Sequence, residues 1–307
     1  MLRELILEEV RKNGYLTFDR FVELSLYHPE FGYYTVKRVG RKLAEDFVTS
    51  PELTPAFGKL LSSFLKKKSL ELNLPLRVLE LGGGKGFLAS DISREPFIED
   101  YTVLEVREKP DWIGGVNWVR NLTELKGFEG FVIANEFFDA FPFKRIVKRD
   151  GELCEVVLVE EEGKLRESLV EFNGEVPCSL KEGEEYPLFL WEGFIREFSD
   201  VVGRVYLVVF DYGGKCGELS FRAFRENRLV DDYLIRVGET DLTASVDFKY
   251  LTALLESSGF KVVSFKPQSS FLLENGIERF LTPAEVPAAL TLLVDMGRRF
   301  RVLEAAK

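Results

Sequence analysis

Apolar positions near the start of the chain recur with helical spacing. Leu2, Leu5, Ile6 and Val10 predict a helix that Gly14 ends. Thr17 is placed to cap a second helix, with Phe18, Phe21, Val22 and Leu26 on its inward face and a break at His28-Pro29. Phe31 to Thr35 and Asp46 to Ser50 then flank a loop containing Gly40 and the basic residues Lys37, Arg38, Arg41 and Lys42. Ser50-Pro51 reads as a helix start, with the hydroxyl at the N-cap and proline at N1. Leu53, Phe57, Leu60, Leu61 and Phe64 form the stripe of the helix that follows. Residues 1–75 are therefore read as a helical lead-in with one structured loop.

From Arg77 the pattern changes. Short apolar runs alternate with helical or polar stretches: Arg77–Leu81, Thr102–Val106, Val116–Val119, Phe131–Ala134, Val205–Phe210 and Lys261–Phe265. Such alternation predicts βαβ units and a mostly parallel sheet, an α/β fold. A last run, Phe300–Leu303, is expected to pair back on that sheet. Between the fourth and fifth runs, Lys144 to Phe172 reads as three antiparallel strands joined by turns at Asp150-Gly151 and Glu162-Gly163. A helix from about Leu188 to Val202 is expected next. The domains follow: a lead-in over 1–75 that covers the active site, a sheet domain over 76–143 and 203–307, and an inserted subdomain over 144–202.

Composition narrows the chemistry. The 307 residues carry 41 Lys and Arg against 51 Asp and Glu, a formal net charge of −10. An acidic chain with no polybasic run is a poor partner for nucleic acid, whose affinity comes largely from phosphate neutralisation. No apolar stretch approaches the roughly 18 residues of a membrane span, so no membrane insertion is expected. Glu4, Glu8 and Glu9 argue against a signal or transit peptide at the start, and a cytoplasmic location is expected. Cys154, Cys178 and Cys216 fit no metal-ligand spacing and read as ordinary thiols of a reducing compartment. With His28 the single histidine, His-clustered metal sites are excluded and no metal is expected, while a Ser-His-Asp hydrolase is disfavoured.

The strongest motif is Val78-Leu79-Glu80-Leu81-Gly82-Gly83-Gly84-Lys85-Gly86. A buried strand runs into a glycine turn and then a helix marked by Phe87, Leu88 and Ile92, at the end of the sheet where open α/β folds bind nucleotides. A dinucleotide fingerprint needs a small residue at position 87, which is phenylalanine, and Lys85 is not followed by Ser or Thr as a P-loop requires. The register is instead acidic-x-G-x-G-x-G from Glu80, which resembles motif I of Rossmann-type S-adenosylmethionine-dependent methyltransferases. Glu105 ends the second run about 20 residues further on, where an acid grips ribose hydroxyls. At the end of the fourth run lies Asn135-Glu136-Phe137-Phe138-Asp139. It has the spacing of the N-P-P-[YF] motif of amide and base N-methyltransferases without its prolines. Alternatively, Glu136 grips a guanidinium, as in arginine methyltransferases, with Asp139 a second acid.

Longer segments carry a wider resemblance. Leu26-Tyr27-His28-Pro29-Glu30-Phe31-Gly32-Tyr33-Tyr34, Asp46-Phe47-Val48-Thr49-Ser50-Pro51-Glu52 and Asn135 to Pro142 resemble the MidA family, the family of the mitochondrial complex I assembly factor. Asp211-Tyr212-Gly213 and Asp241-Leu242-Thr243-Ala244-Ser245-Val246-Asp247-Phe248 do so too. The resemblance implies a Rossmann-like seven-stranded class I methyltransferase sheet and S-adenosyl-L-methionine as cofactor. It also implies methyl transfer to an arginine of a protein substrate, with a respiratory complex I-type subunit the narrower expectation. It places cofactor contact on Gly82, Gly84 and Gly86, with Glu80 beside them and Glu105 on the ribose. Asn135, Thr49 and Ser50 are grouped with these, and Glu136, Asp139 and Asp241 are the candidates for catalysis. Two departures stand out: Gly83 replaces the family's usual proline, and Ser245 replaces its histidine, which removes a group that titrates near neutrality. Asp241 is then an alternative proton acceptor, and Asp247 reads as the N-cap of a helix stopped by Gly259. Two other readings stay open, a methyltransferase for a small molecule or another amine, and a cofactor-binding assembly factor with vestigial catalysis. A homodimer is also left open.

Overall fold

A computed structural model describes residues 1–36, 48–226 and 228–307. The expected loop around Gly40, and Asp46 and Phe47 of the resemblance, lie outside the described residues. The chain forms two compact units, one of Met1–Phe47, Asp139–Leu190 and Gly214–Asp247, the other of Val48–Phe138, Trp191–Gly213 and Phe248–Lys307. Residues 48–75, grouped with the lead-in from sequence, thus cluster with the sheet.

The second unit contains seven strands: β1 (Arg77–Leu81), β2 (Asp100–Leu104), β3 (Asn117–Val119), β4 (Phe128–Asn135), β5 (Val202–Gly214), β6 (Lys261–Pro267) and β7 (Phe300–Ala306). They lie in the order β3-β2-β1-β4-β5-β7-β6. The first five are parallel, and β7 runs antiparallel between β5 and β6. Each expected run is a strand, and the central ones are buried on both faces, which is why they read as unbroken apolar stretches. Strand order reverses between β1 and β4, the switch point at which such sheets bind ligands. Helix packing supplies the rest of the core. Phe57, Leu60, Leu61 and Phe64 of the helix Pro55–Leu72 pack with Val78, Phe131, Tyr206 and Phe210.

In the first unit, the helices Leu2–Asn13 and Phe18–Tyr27 form as expected, although Leu5 is exposed and Thr17 makes no side-chain capping bond. The hairpin strands Phe143–Arg149, Glu152–Glu161 and Lys164–Glu171 pair antiparallel, with left-handed residues at both expected turns. Their core is aromatic: the Phe18 ring meets Phe21, Phe143, Phe221 and Tyr233, and the Arg145 guanidinium lies 4.8 Å from the Phe18 ring.

Two expectations are corrected here. Leu188 is not helical but lies in a strand, Glu185–Phe189, that pairs with Phe143–Arg149, and the helix begins at Glu192. A short apolar run does not distinguish the two states, and pairing with the hairpin decides it. Cys178 and Cys216 are not free thiols but form a disulfide, across a cluster of Leu180, Tyr186 and Leu219 against which Cys178 packs. Cys154 remains a free thiol.

Candidate functional site

Parallel register builds the site in the second unit. Leu81 is level with Leu104 and with Ala134, so Gly82, Glu105 and Asn135 leave the sheet together at its carboxyl edge. Gly82, Gly84 and Gly86 have φ of +73°, +53° and +81°, values that L side chains rarely adopt. The turn is closed by Gly82 N–H donating to Leu104 O (2.9 Å) and Gly86 N–H to Gly83 O (2.8 Å). The Glu105 carboxylate accepts from Gly84 N–H at 2.8 Å and from Arg107 N–H at 3.0 Å, which fixes its position beside the turn. Glu80 is buried and accepts from the Tyr101 hydroxyl at 2.8 Å. Burial pushes its carboxyl up to about 7, against the pull of the Tyr101 bond.

The Asn135–Phe138 turn follows β4. Asn135 donates through Nδ2 to Glu136 Oε1 at 3.2 Å, and its Oδ1 is buried with no hydrogen-bond partner. Glu136 sits at φ +52°, a sparsely populated conformation for a non-glycine residue, of the kind concentrated at ligand sites. The structure adds residues that carried no assigned role in the sequence. Asp211, fully buried, accepts from Phe138 N–H at 3.0 Å, and Trp191 Nε1 donates to Phe138 O at 3.0 Å. Asp211 stood in a quoted motif, but only the β4–β5 pairing shows what it holds.

The Thr49-Ser50 pair differs from expectation. Thr49, not Ser50, is the N-cap of the short helix Ser50–Leu53, without a side-chain capping bond, because the helix starts one residue earlier. Ser50 is buried against Gln268 and Met296. Thr49 donates weakly to Glu52 (3.4 Å), and Glu52 pairs with Lys85 of the glycine turn at 2.8 Å. Phe87, which with Leu88 and Ile92 marked the helix after the turn, begins that helix, is 40 % exposed and packs against Trp112.

Asp139 and Asp241 belong to the first unit. Thr243 donates to Asp139 Oδ2 at 3.1 Å, and the Tyr34 hydroxyl donates to Asp241 Oδ1 at 2.8 Å. Burial, reinforced by the Asp241 charge, pushes Asp139 up to about 7. Burial likewise drives the Tyr34 hydroxyl well above its usual range, so it stays a donor. Ser245 is engaged with the backbone: its N–H donates to Ser220 O at 3.0 Å, and its Oγ accepts from Ser220 N–H at 3.3 Å. His28 ends its helix, and its carbonyl accepts from Gly32 N–H at 2.8 Å in the loop that carries Tyr33 and Tyr34. Asp247 accepts from the Tyr186 hydroxyl at 2.9 Å, immediately before the helix Phe248–Ser257. No group of metal-ligating side chains occurs among the described residues.

Residues 99–266 match the family described as "Putative S-adenosyl-L-methionine-dependent methyltransferase". The chain belongs to this family. Among curated relatives, the Bos taurus protein arginine methyltransferase NDUFAF7, mitochondrial, is 28% identical over 91% of this chain and 74% of its own. The Drosophila melanogaster homolog is 27% identical over 82% and 69%. A crystal structure from Burkholderia thailandensis bound to S-adenosyl-homocysteine is similar at a TM-score of 0.88. It is 23% identical and spans 100% of this chain and 92% of that one, which shows the class I methyltransferase fold. The relatives overturn the expected cytoplasmic location, because their names place them in mitochondria.

The cofactor of this family is S-adenosylmethionine, and the residues present suit it. A Cβ at Gly84 would meet no atom within 4 Å, which leaves open space over the turn. Beside it stand the Glu105 carboxylate, able to accept from ribose hydroxyls, and the unpartnered Asn135 Oδ1, able to accept from a donor on a ligand.

Proposed function

We propose that this methyltransferase transfers its methyl group to a guanidinium nitrogen of a protein arginine. The observation that carries the reading is Glu136, a carboxylate held in a left-handed backbone position at the carboxyl end of β4. Relatives named protein arginine methyltransferases support it. S-adenosylmethionine supplies an electrophilic methyl on a sulfonium. A guanidinium spreads its charge over three nitrogens and is a poor nucleophile in that state. Paired with Glu136, its charge localises on the bonded side, and the remaining nitrogen is oriented for in-line attack. Gly82, Gly84, Gly86, Glu105 and Asn135 bind the cofactor, with Glu80 behind the turn. Asp139, three residues beyond Glu136 in the chain, is poised to hold or release a proton near neutrality, a role Ser245 cannot fill. The resemblance to complex I assembly factors favours a respiratory-chain subunit as the protein substrate.

The test is labelled methyl transfer from S-adenosylmethionine to co-purifying proteins, with mass-spectrometric reading of the methylated residue. Methylarginine is expected. Glu136→Gln should reduce transfer about a hundredfold or more while leaving S-adenosylhomocysteine affinity nearly unchanged. Label on another residue type, or full transfer by Glu136→Gln, refutes the proposal.

A further inference from the structure

The turn that carries Glu136 is gripped at both ends by two adjacent residues of β5. Glu136 N–H donates to Phe210 O at 2.8 Å, and Phe138 N–H donates to Asp211 Oδ2 at 3.0 Å. The second oxygen of Asp211 accepts from Tyr212 N–H at 2.9 Å, so both carboxylate oxygens are engaged by backbone. From the other side, Trp191 Nε1 holds the Phe138 carbonyl, and the Phe138 ring meets the Trp191 indole edge-on at 5.8 Å. Between the two grips lie the left-handed Glu136 and Phe137, whose ring covers Gly82: a Cβ there would come within 2.8 Å of Phe137 Cδ2.

A fully buried carboxylate is expensive unless charge-assisted bonds compensate it. Here one such bond stays within β5 and the other crosses to a turn 73 residues away in sequence. That cross-link fixes the turn against the strand rather than merely filling the core. A left-handed glutamate persists only where its surroundings over-determine it, and the bonds that Glu136 and Phe138 N–H donate to Phe210 O and Asp211 do this.

The geometry points to Asp211 as a positioning residue for the cofactor turn. Through Phe138 N–H, it sets the Phe137 ring against Gly82 and so shapes the surface on which the cofactor rests. The inference depends on the cofactor binding at the Gly82–Gly86 turn.

The experiment is calorimetric titration with S-adenosylhomocysteine, paired with thermal unfolding, for wild type, Asp211→Ala, Asp211→Asn and Tyr206→Phe. The last, on the same strand as Asp211, removes a buried bond to Glu304 of β7 and serves as a stability control. Asp211→Ala is expected to weaken binding about tenfold or more. Asp211→Asn keeps one acceptor oxygen for Phe138 N–H and should stay within about threefold of wild type, although it too melts earlier. Tyr206→Phe should melt earlier with unchanged affinity. Wild-type affinity in Asp211→Ala, or affinity loss that simply follows melting temperature across all variants, overturns the proposal. Should Asp211→Ala not fold, Phe137→Ala reads the same link, and wild-type affinity in that variant overturns it equally. Absence of binding by folded wild type refutes the underlying cofactor site as well, a result distinct from any difference between variants.

Discussion

Gly84 and Gly86 stand two residues apart in one turn, yet they call for glycine on different grounds. At Gly86 a Cβ would fall 1.9 Å from Ile113 Cδ1, on top of a left-handed backbone. Gly86→Ala should therefore cost about 3 kcal/mol of stability, read by denaturant unfolding. At Gly84 the same addition meets open space. Gly84→Ala should cost only about 1 kcal/mol, while Gly84→Val should abolish S-adenosylhomocysteine binding in a protein that still folds. Glu80 gives a pH signature. Its folded carboxyl titrates at about 7, above its ordinary 4.5, so the native state holds the proton more tightly than the unfolded chain. Its contribution is present below pH 4.5 and is lost as pH rises to about 7. Glu80→Gln, which keeps an acceptor for Tyr101, should flatten that decline, by at most about 3 kcal/mol between pH 5 and 8. The motif residues were legible because glycines and acids after a strand have few other uses. The bonds that complete the site were not: Phe138 to Asp211 and Tyr34 to Asp241 join residues 73 and 207 positions apart.

Elements with a clear period are visible in sequence, and those defined by partners are not. All seven sheet strands and the two hairpin turns at Asp150-Gly151 and Glu162-Gly163 follow from local pattern. The strand Glu185–Phe189 and the three-stranded sheet of Phe221–Arg225, Arg228–Leu229 and Asp241–Ala244 depend on distant neighbours, and they were missed or misread. The disulfide belongs to the same class, since spacing alone could not show that Cys178 approaches Cys216. It closes a loop of 38 residues. On the loop-entropy account, reduction should lower stability by about 4 kcal/mol. The measurement is unfolding with and without reductant, and Cys178→Ser with Cys216→Ser should match the reduced wild type.

Over the whole molecule, chain order and spatial order diverge. Three sequence segments make up each unit, and they alternate along the chain. Alternation of this kind cannot be read from composition, which does not tell which distant segments pack together. Strand β7 is the sharpest instance: it is the last of the seven in sequence but lies between β5 and β6 in space. During vectorial synthesis, β6 leaves the ribosome with no neighbouring strand to join. At about 5–20 residues per second, several seconds pass before Phe300–Ala306 follows. Through that interval the edge of β5 is exposed along the line where β7 will insert, open to any other extended segment in the cell. A nascent chain stalled before Phe300 should therefore be the species most dependent on chaperones, and the one most prone to pair with a foreign strand.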